Sequence, residues 1–159
     1  MQSESNEVEI LYFSSCGGHL VQLLEIARSL KKYKSHFIVN NRTDLDEIMI
    51  GKTSIITHGE RALHGIFKLV VINIFESIFY ICKLKPKIII STGAGPAVWF
   101  GLFGKILGSR VLYVESLSKI NKPTLTGKIM YYIADKFYIQ WPNLKKVLPK
   151  ATFVGNLLQ

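Results

Sequence analysis

Residues 87–96 read KIIISTGAGP, and this stretch is the strongest indication of the fold. Its three consecutive isoleucines are typical of a short strand that is buried on both faces. Two glycines, Gly93 and Gly95, follow the strand and lead into Pro96, a residue that favours the first position of a helix. The stretch therefore predicts a strand that turns tightly into a helix, the unit from which parallel sheets with helical crossovers are built.

The same order of strand, glycine turn and helix occurs at the start of the chain. Residues 8–14 (VEILYFS) predict a strand, and residues 18–33 predict a helix with leucines on one face. The other predicted strands are 36–40, 53–57, 87–91, 110–115, 136–140 and 152–154, and the other predicted helices are 43–50, 63–84, 96–107, 124–133 and 142–148. This alternation predicts an α/β fold, a Rossmann-like parallel sheet with helices on both faces, as one domain over residues 1–159.

The amino-acid composition limits the classes of function that the chain could have. Of the 159 residues, 48% are hydrophobic and 19% are charged, which supports a packed core and excludes a disordered chain. The formal net charge of +9 favours an anionic partner. The aromatic residues lie in apolar strands and helices rather than among basic clusters, which argues against nucleic acid. Cys16 and Cys82 form no metal-ligand pattern, and we expect reduced thiols, no metal site and no cofactor.

The two glycine turns are the candidate binding site. Ligands of parallel sheets bind beyond the carboxyl ends of the strands. Glycines that open a helix there expose N–H groups to a phosphate, and two such turns suit a diphosphate, although each could also be an ordinary turn. The pattern is not G-x-G-x-x-G, so a dinucleotide is not predicted. The predicted acceptor- and phosphate-binding residues are Ser15, Gly17, Gly18, Thr92, Gly93 and Gly95.

Four segments together resemble a known family. They are residues 14–24 (SSCGGHLVQLL), 90–116 (ISTGAGPAVWFGLFGKILGSRVLYVES), 122–141 (KPTLTGKIMYYIADKFYIQW) and 153–158 (FVGNLL). The resemblance is to the membrane-anchor subunit of the eukaryotic dolichol-diphosphate N-acetylglucosamine transferase and to its bacterial capsule and exopolysaccharide counterparts. The chain also resembles the N-terminal half of the peptidoglycan lipid-intermediate transferase MurG, whose two Rossmann-like domains form the GT-B fold.

The resemblance implies a function and a partner. In the one-chain enzyme the first domain receives the lipid-diphosphate acceptor and the second holds the UDP-sugar. This sequence ends before a second domain could form, so we expect a separate donor-binding subunit, a heterodimer, and no turnover by this chain alone. Gly17, Gly18 and His19 match the acceptor-side turn, and Glu115 matches an acidic position after the following strand. His19 and Glu115 are the candidate catalytic bases, and His19 could instead bind the diphosphate.

Residues 63–84 are the candidate membrane-associating helix. Their apolar core, 66–82, is interrupted by Lys68, Asn73 and Glu76 and is flanked by cations, which suits a helix lying in the membrane interface. The alternative is a buried crossover helix covered on both sides. With no signal peptide and no preceding spanning helix, we expect a bacterial protein on the cytoplasmic face of the inner membrane, peripheral or monotopic.

Three other functions fit parts of the pattern. The chain could be a noncatalytic membrane scaffold that recruits and activates a separate glycosyltransferase, in which case His19 and Glu115 would be dispensable. It could be a nucleotide-binding enzyme complete in itself, although no acidic residue closes the second strand. Its charge alone suggests nucleic-acid binding. The transferred sugar and the lipid-linked acceptor are not specified by these motifs.

Overall fold

The computed structural model describes residues 7–40, 52–56 and 65–158 of the chain. The predicted helix at 43–50 lies outside these residues. The strands are β1 (Ile10–Ser14), β2 (Ser35–Asn40), β3 (Lys52–Ile56), β4 (Ile88–Ser91), β5 (Arg110–Val114), β6 (Lys136–Ile139) and β7 (Thr152–Phe153). The helices are α1 (Gly18–Ser29), α2 (Ile66–Leu84), α3 (Ala97–Ile106) and α4 (Leu125–Ile133), with a 3₁₀ helix at Pro142–Lys146.

The seven strands form one parallel sheet in the order β3-β2-β1-β4-β5-β6-β7. The predicted fold class, a Rossmann-like parallel sheet with helical crossovers, is confirmed. The strand order reverses between β1 and β4, and a sheet of this kind binds ligands at the carboxyl ends of the strands on either side of such a reversal. Both predicted glycine turns follow these two strands, so the topology brings them to the same place.

Successive side chains along each strand point to opposite faces of the sheet, and they join separate core clusters on the two faces. On β1, Phe13 is fully buried and stacks on Phe100 of α3, with ring centroids 4.6 Å apart. The neighbouring Tyr12 points to the opposite face, where it stacks on Phe37 of β2 and joins a cluster with the leucines of α1. A third cluster packs Met130 of α4 against the end of the sheet formed by β5 and β6.

Most element boundaries agree with the sequence predictions to within a few residues, and the differences have local causes. α1 ends at Ser29 instead of residue 33, because the Leu30 N–H bonds to the Ala27 carbonyl in a tighter turn. The segment after Trp141 forms a 3₁₀ helix, the short helix type that needs few residues. α4 begins where Thr124 caps it, with the Thr124 hydroxyl accepting the Gly127 N–H at 2.8 Å.

α2 has two different faces. Ile81 and Leu84 are buried in the core, while Phe67, Phe75 and Phe79 are 81%, 67% and 56% exposed. The aromatic face is therefore exposed, unlike a crossover helix covered on both sides, and the membrane role of this helix stays a prediction. Among the helices in the described ranges, none is long and apolar enough to cross a membrane.

A buried phenylalanine of α3 and an exposed phenylalanine of α2 should differ in what they contribute to stability. Phe100→Ala removes a fully buried ring and leaves a cavity, which should lower the free energy of unfolding by about 3–5 kcal/mol. Phe67→Ala, the matched control on the exposed face of α2, should change it by less than about 0.5 kcal/mol. Urea denaturation of both variants measures the difference. Equal destabilisation by the two substitutions would contradict the burial of Phe100 on α3 and the exposure of Phe67 on α2.

Candidate functional site

The two glycine turns are joined by reciprocal hydrogen bonds between His19 and Thr92. The His19 Nδ1 atom lies 2.7 Å from the Thr92 carbonyl oxygen, and the Thr92 hydroxyl donates to the His19 carbonyl oxygen at 2.7 Å. A carbonyl oxygen can only accept, so Nδ1 carries a hydrogen, and in the neutral form of the ring the lone pair is at Nε2. Within the described ranges, no residue bonds to Nε2. We call this pair of hydrogen bonds the His19–Thr92 clasp.

The clasp requires glycine at position 93. The backbone of Gly93 has φ +135°, and a Cβ atom built there would lie 2.7 Å from His19 Cε1. The imidazole therefore lies directly on the bare backbone of the second turn. The next residue, Ala94, also has a positive φ of 89°, which is costly for a residue with a side chain. Strained backbone of this kind is found most often at functional sites.

Three other glycines leave backbone open at the helix starts. The backbone of Gly17 has a φ of +85°, which favours glycine at this position. Gly18 and Gly95 do not have a left-handed φ. A Cβ atom on any of the three would meet no heavy atom within 4 Å. The start of α1 and the turn before α3 are therefore open to the approach of another molecule. The first N–H groups of a helix lack intrahelical partners and are suited to bind an anion.

An open crevice of about 510 Å³ lies beside the start of α1. His19 and Gln22 form part of one wall, and the turn after β5 and Leu158, near the C-terminus, form others. The residues that line it are Gly18, His19, Val21, Gln22, Ser116, Leu117, Ser118 and Leu158. The crevice thus lies at the carboxyl edge of the sheet, beside the glycine turns.

Glu115 occupies a different position from the glycine turns. Its side chain is fully buried, and its carboxylate accepts hydrogen bonds from the Ser116 N–H at 2.8 Å, the Thr124 N–H at 3.1 Å and the Thr124 hydroxyl at 3.0 Å. Burial raises the pKa of this carboxyl above its ordinary value, and the hydrogen bonds oppose part of the rise. A Cβ on Gly127 would overlap the carboxylate. Glu115 therefore ties the turn after β5 to the start of α4, and its carboxylate does not reach the crevice surface.

The structure brings most of the predicted site residues together at one edge. Gly17, Gly18 and Gly95 are on the exposed backbone of the two turns, and Ser15 is half-buried beside them. Thr92 and Gly93 are buried beneath the His19 ring. The Thr92 hydroxyl donates to the His19 carbonyl oxygen as part of the clasp.

Sequence reasoning missed two buried amides, Gln22 and Gln140, which link α1 to the end of β6. The available signals were a glutamine among the leucines of the first helix and a glutamine at the end of the predicted strand 136–140.

The different surroundings of Gly93 and Gly95 give a matched pair of substitutions. Gly93→Ala forces a strained backbone and a clash with His19, and we expect a loss of roughly 1–3 kcal/mol in the free energy of unfolding and a displaced imidazole. Gly95→Ala meets open space and should be nearly neutral for stability. Denaturation curves and the NMR shift of the His19 ring protons check both outcomes. An undisplaced ring in Gly93→Ala would disprove the clasp geometry.

Comparison with known proteins identifies the family. The family model described as "Oligosaccharide biosynthesis protein Alg14 like" matches residues 56–157. The UDP-N-acetylglucosamine transferase subunit ALG14 of Rattus norvegicus is 25% identical over 178 residues, covering 94% of this chain and 82% of that protein. The protein of the same name from Saccharomyces cerevisiae is 29% identical over 106 residues, covering 57% of this chain and 45% of the relative.

Solved structures support the same fold. UDP-GlcNAc 2-epimerase from Methanocaldococcus jannaschii superimposes with a TM-score of 0.73 at 16% identity, covering 93% of this chain. MurG from Acinetobacter baumannii superimposes with a TM-score of 0.65 at 21% identity, covering 85% of this chain. The chain spans 45% and 42% of the lengths of these two proteins. With the family model matching well over half of its length, this chain belongs to the Alg14-like family of oligosaccharide biosynthesis proteins.

Proposed function

We propose that this chain is the acceptor-binding, membrane-associated subunit of a two-component glycosyltransferase. A partner subunit holds a UDP-sugar, and the sugar is transferred to a lipid-diphosphate-linked saccharide presented by this chain. The main support for the proposal is the His19–Thr92 clasp, which holds an imidazole between two open glycine turns beside a crevice. The relatives are UDP-N-acetylglucosamine transferase subunits, which supports the reaction class and the need for a partner.

The acceptor diphosphate would bind at the exposed backbone of the two turns. The starts of α1 and α3 each carry the positive end of a helix dipole, and the open space at Gly18 and Gly95 lets phosphate oxygens approach their N–H groups. Ser15 lies at the edge of the first turn and adds a hydroxyl. The crevice next to His19 then has room for the saccharide that carries the attacking hydroxyl.

In this proposal His19 is the general base. Its Nε2 lone pair accepts the proton of the acceptor hydroxyl as that oxygen attacks the anomeric carbon of the donor sugar. The bond from the anomeric carbon to the UDP oxygen breaks at the same time, and UDP leaves with the electron pair on the partner subunit. The Thr92 carbonyl holds the Nδ1 proton and so fixes the tautomer that the reaction needs.

Glu115, the rival base, takes a positioning role in this scheme. Its carboxylate is committed to Ser116 and Thr124 and is fully buried, so it cannot meet an acceptor hydroxyl without a rearrangement of the turn. What it fixes is the path of residues 116–118, which form one wall of the crevice.

The partner would dock at the C-terminal segment, which we define as residues 153–158. Phe153, Val154 and Leu158 are 45%, 51% and 49% exposed, so the segment presents apolar side chains to its surroundings. Since Leu158 also lines the crevice, a donor subunit seated there would bring the UDP-sugar next to the acceptor. A heterodimer joined at this segment would have the two-domain arrangement of a GT-B enzyme.

The aromatic face of α2 would attach the subunit to the membrane. Phe67, Phe75 and Phe79 are exposed on one helix, and the exposed cations Lys68 and Lys83 accompany them. Aromatic rings in the interface with lysines at anionic headgroups suit a monotopic contact. We place this contact on the cytoplasmic face of a bacterial inner membrane, where the lipid-linked acceptors of capsule and exopolysaccharide synthesis would be available.

Replacement of His19 tests the proposed function directly. In the complex with its donor-binding subunit, His19→Ala should lower the saturated rate roughly 10²-fold or more, because the general base is lost. The matched control is His36→Ala, since His36 bonds to Ser54 and lies near the amino end of β2, whereas the crevice lies at the carboxyl edge of the sheet. Steady-state rates with UDP-N-acetylglucosamine and a prenyl-diphosphate-linked sugar measure both variants.

Three outcomes of that assay would change the assignment. Turnover by this chain without a partner would disprove the two-component reaction. A larger apparent acceptor KM with a nearly unchanged saturated rate would make His19 a diphosphate ligand instead of the base. Parental kinetics in His19→Ala would favour the noncatalytic scaffold that recruits a separate transferase.

The membrane contact has its own test. The double substitution of Phe75 and Phe79 by Asp should release the protein from vesicles that contain anionic lipid, because it removes exposed aromatic area and adds negative charge. Val147→Asp, which charges an exposed apolar residue after the 3₁₀ helix, is the control. The fraction of protein that sediments with vesicles should fall several-fold for the α2 variant and should stay at the parental level for Val147→Asp. Equal sedimentation of parent and α2 variant would exclude this face as the anchor.

A further inference from the structure

We propose that Gln22 and Gln140 are positioning residues that couple the C-terminal segment to the acceptor crevice, so that partner binding tightens acceptor binding. The inference rests on the proposed function, because it takes that segment as the docking site of the donor subunit. It adds a mechanism by which the two subunits act on each other.

The coupling follows a directional chain of hydrogen bonds, which we call the amide relay. The Leu157 N–H donates to Gln140 Oε1 at 3.1 Å. Gln140 Nε2 donates to Gln22 Oε1 at 2.7 Å, and Gln22 Nε2 donates to the Gly18 carbonyl at 2.9 Å. The relay therefore runs without interruption from the C-terminal segment to the first glycine turn.

Side branches of the relay hold the opposite wall of the crevice. Gln140 Nε2 also donates to the Glu115 carbonyl at 2.9 Å, and Gln22 Oε1 also accepts the Leu117 N–H at 3.1 Å. The Trp141 indole N–H donates to the Leu117 carbonyl at 2.5 Å. The turn after β5 and the start of α1 are thus fixed to the same two amides.

Each amide has one orientation that satisfies its neighbours. Turning the Gln140 amide would put its NH₂ group against the Leu157 N–H and its oxygen against two acceptors. Gln22 and Gln140 are 4% and 2% exposed, so water cannot readily replace a lost partner and each broken bond is costly. A buried polar network of this kind specifies one arrangement of the segments that it joins.

The ends of the relay are also walls of the crevice. Gly18, Gln22 and Leu117 line it, and so does Leu158, the neighbour of the residue that starts the relay. A partner seated on residues 153–158 would hold the Leu157 N–H on Gln140 and so favour the arrangement in which both walls are fixed. By linkage, acceptor binding must then strengthen partner binding by the same factor.

The test measures acceptor affinity with and without the partner. The probe is a short-chain prenyl-diphosphate-linked N-acetylglucosamine, titrated into this chain alone and into its complex with saturating donor subunit. The parent should bind the probe at least about fivefold more tightly in the complex. Gln140→Glu keeps the acceptor for Leu157 but loses the NH₂ donors, and its affinities in the two states should agree within about twofold. Asn143→Asp, the same chemical change at an exposed amide, should keep the parental ratio.

A second variant covers the case in which Gln140→Glu fails to fold. Leu157→Pro removes the N–H that begins the relay without placing a charge in the core, and it should also abolish the coupling. Equal affinity of the parent in both states, or parental coupling in folded Gln140→Glu or in Leu157→Pro, would overturn the relay. These results leave acceptor binding itself intact, so they are distinct from failure of the proposed function, which would appear as no probe binding by the parent complex.

Discussion

Two hydrogen bonds between His19 and Thr92 hold the arrangement on which the proposed chemistry depends. They fasten the turn after β1 to the turn after β4, at the point where the strand order of the sheet reverses. They also orient the imidazole, because the ring lies on Gly93 with Nδ1 committed to a carbonyl oxygen. The second turn also contains a strained residue, since Ala94 has a positive φ that is costly for a residue with a side chain.

Much of the fold could be predicted from the sequence because its signals are local. The isoleucines of β4 and the glycines that follow it predict a strand and a tight turn without any knowledge of the rest of the chain. The amide relay could not be predicted in this way, since Gln22 and Gln140 meet across 118 residues and neither lies in a motif. The sequence predicts Thr92 as a phosphate-binding residue, whereas the bond of its hydroxyl to His19, 73 residues away, depends on the folded topology. Likewise, the sequence marks Glu115 as a carboxylate at a strand end but does not show that Ser116 and Thr124 bury it.

Three surfaces of the chain suit three proposed contacts. The crevice beside α1 lies at the carboxyl edge of the sheet, the aromatic face of α2 is turned away from the core, and the C-terminal segment begins at the last residue of β7. The formal charge of +9 fits a protein that works on a diphosphate at an anionic surface. Of these surfaces, the crevice and the C-terminal segment share walls and hydrogen bonds, and this is why partner and acceptor are expected to influence each other.

The central claim is that this chain binds the acceptor diphosphate at its two glycine turns. NMR amide shifts of the isolated ¹⁵N-labelled chain, recorded during titration with a prenyl-diphosphate-linked N-acetylglucosamine and separately with UDP-N-acetylglucosamine, test it most directly. We expect the lipid-linked sugar to shift the amide signals of Gly17, Gly18 and Gly95, and the UDP-sugar to leave them in place. Shifts at these glycines with the UDP-sugar alone, or none with the lipid-linked sugar, would contradict the assignment of this chain as the acceptor-binding subunit.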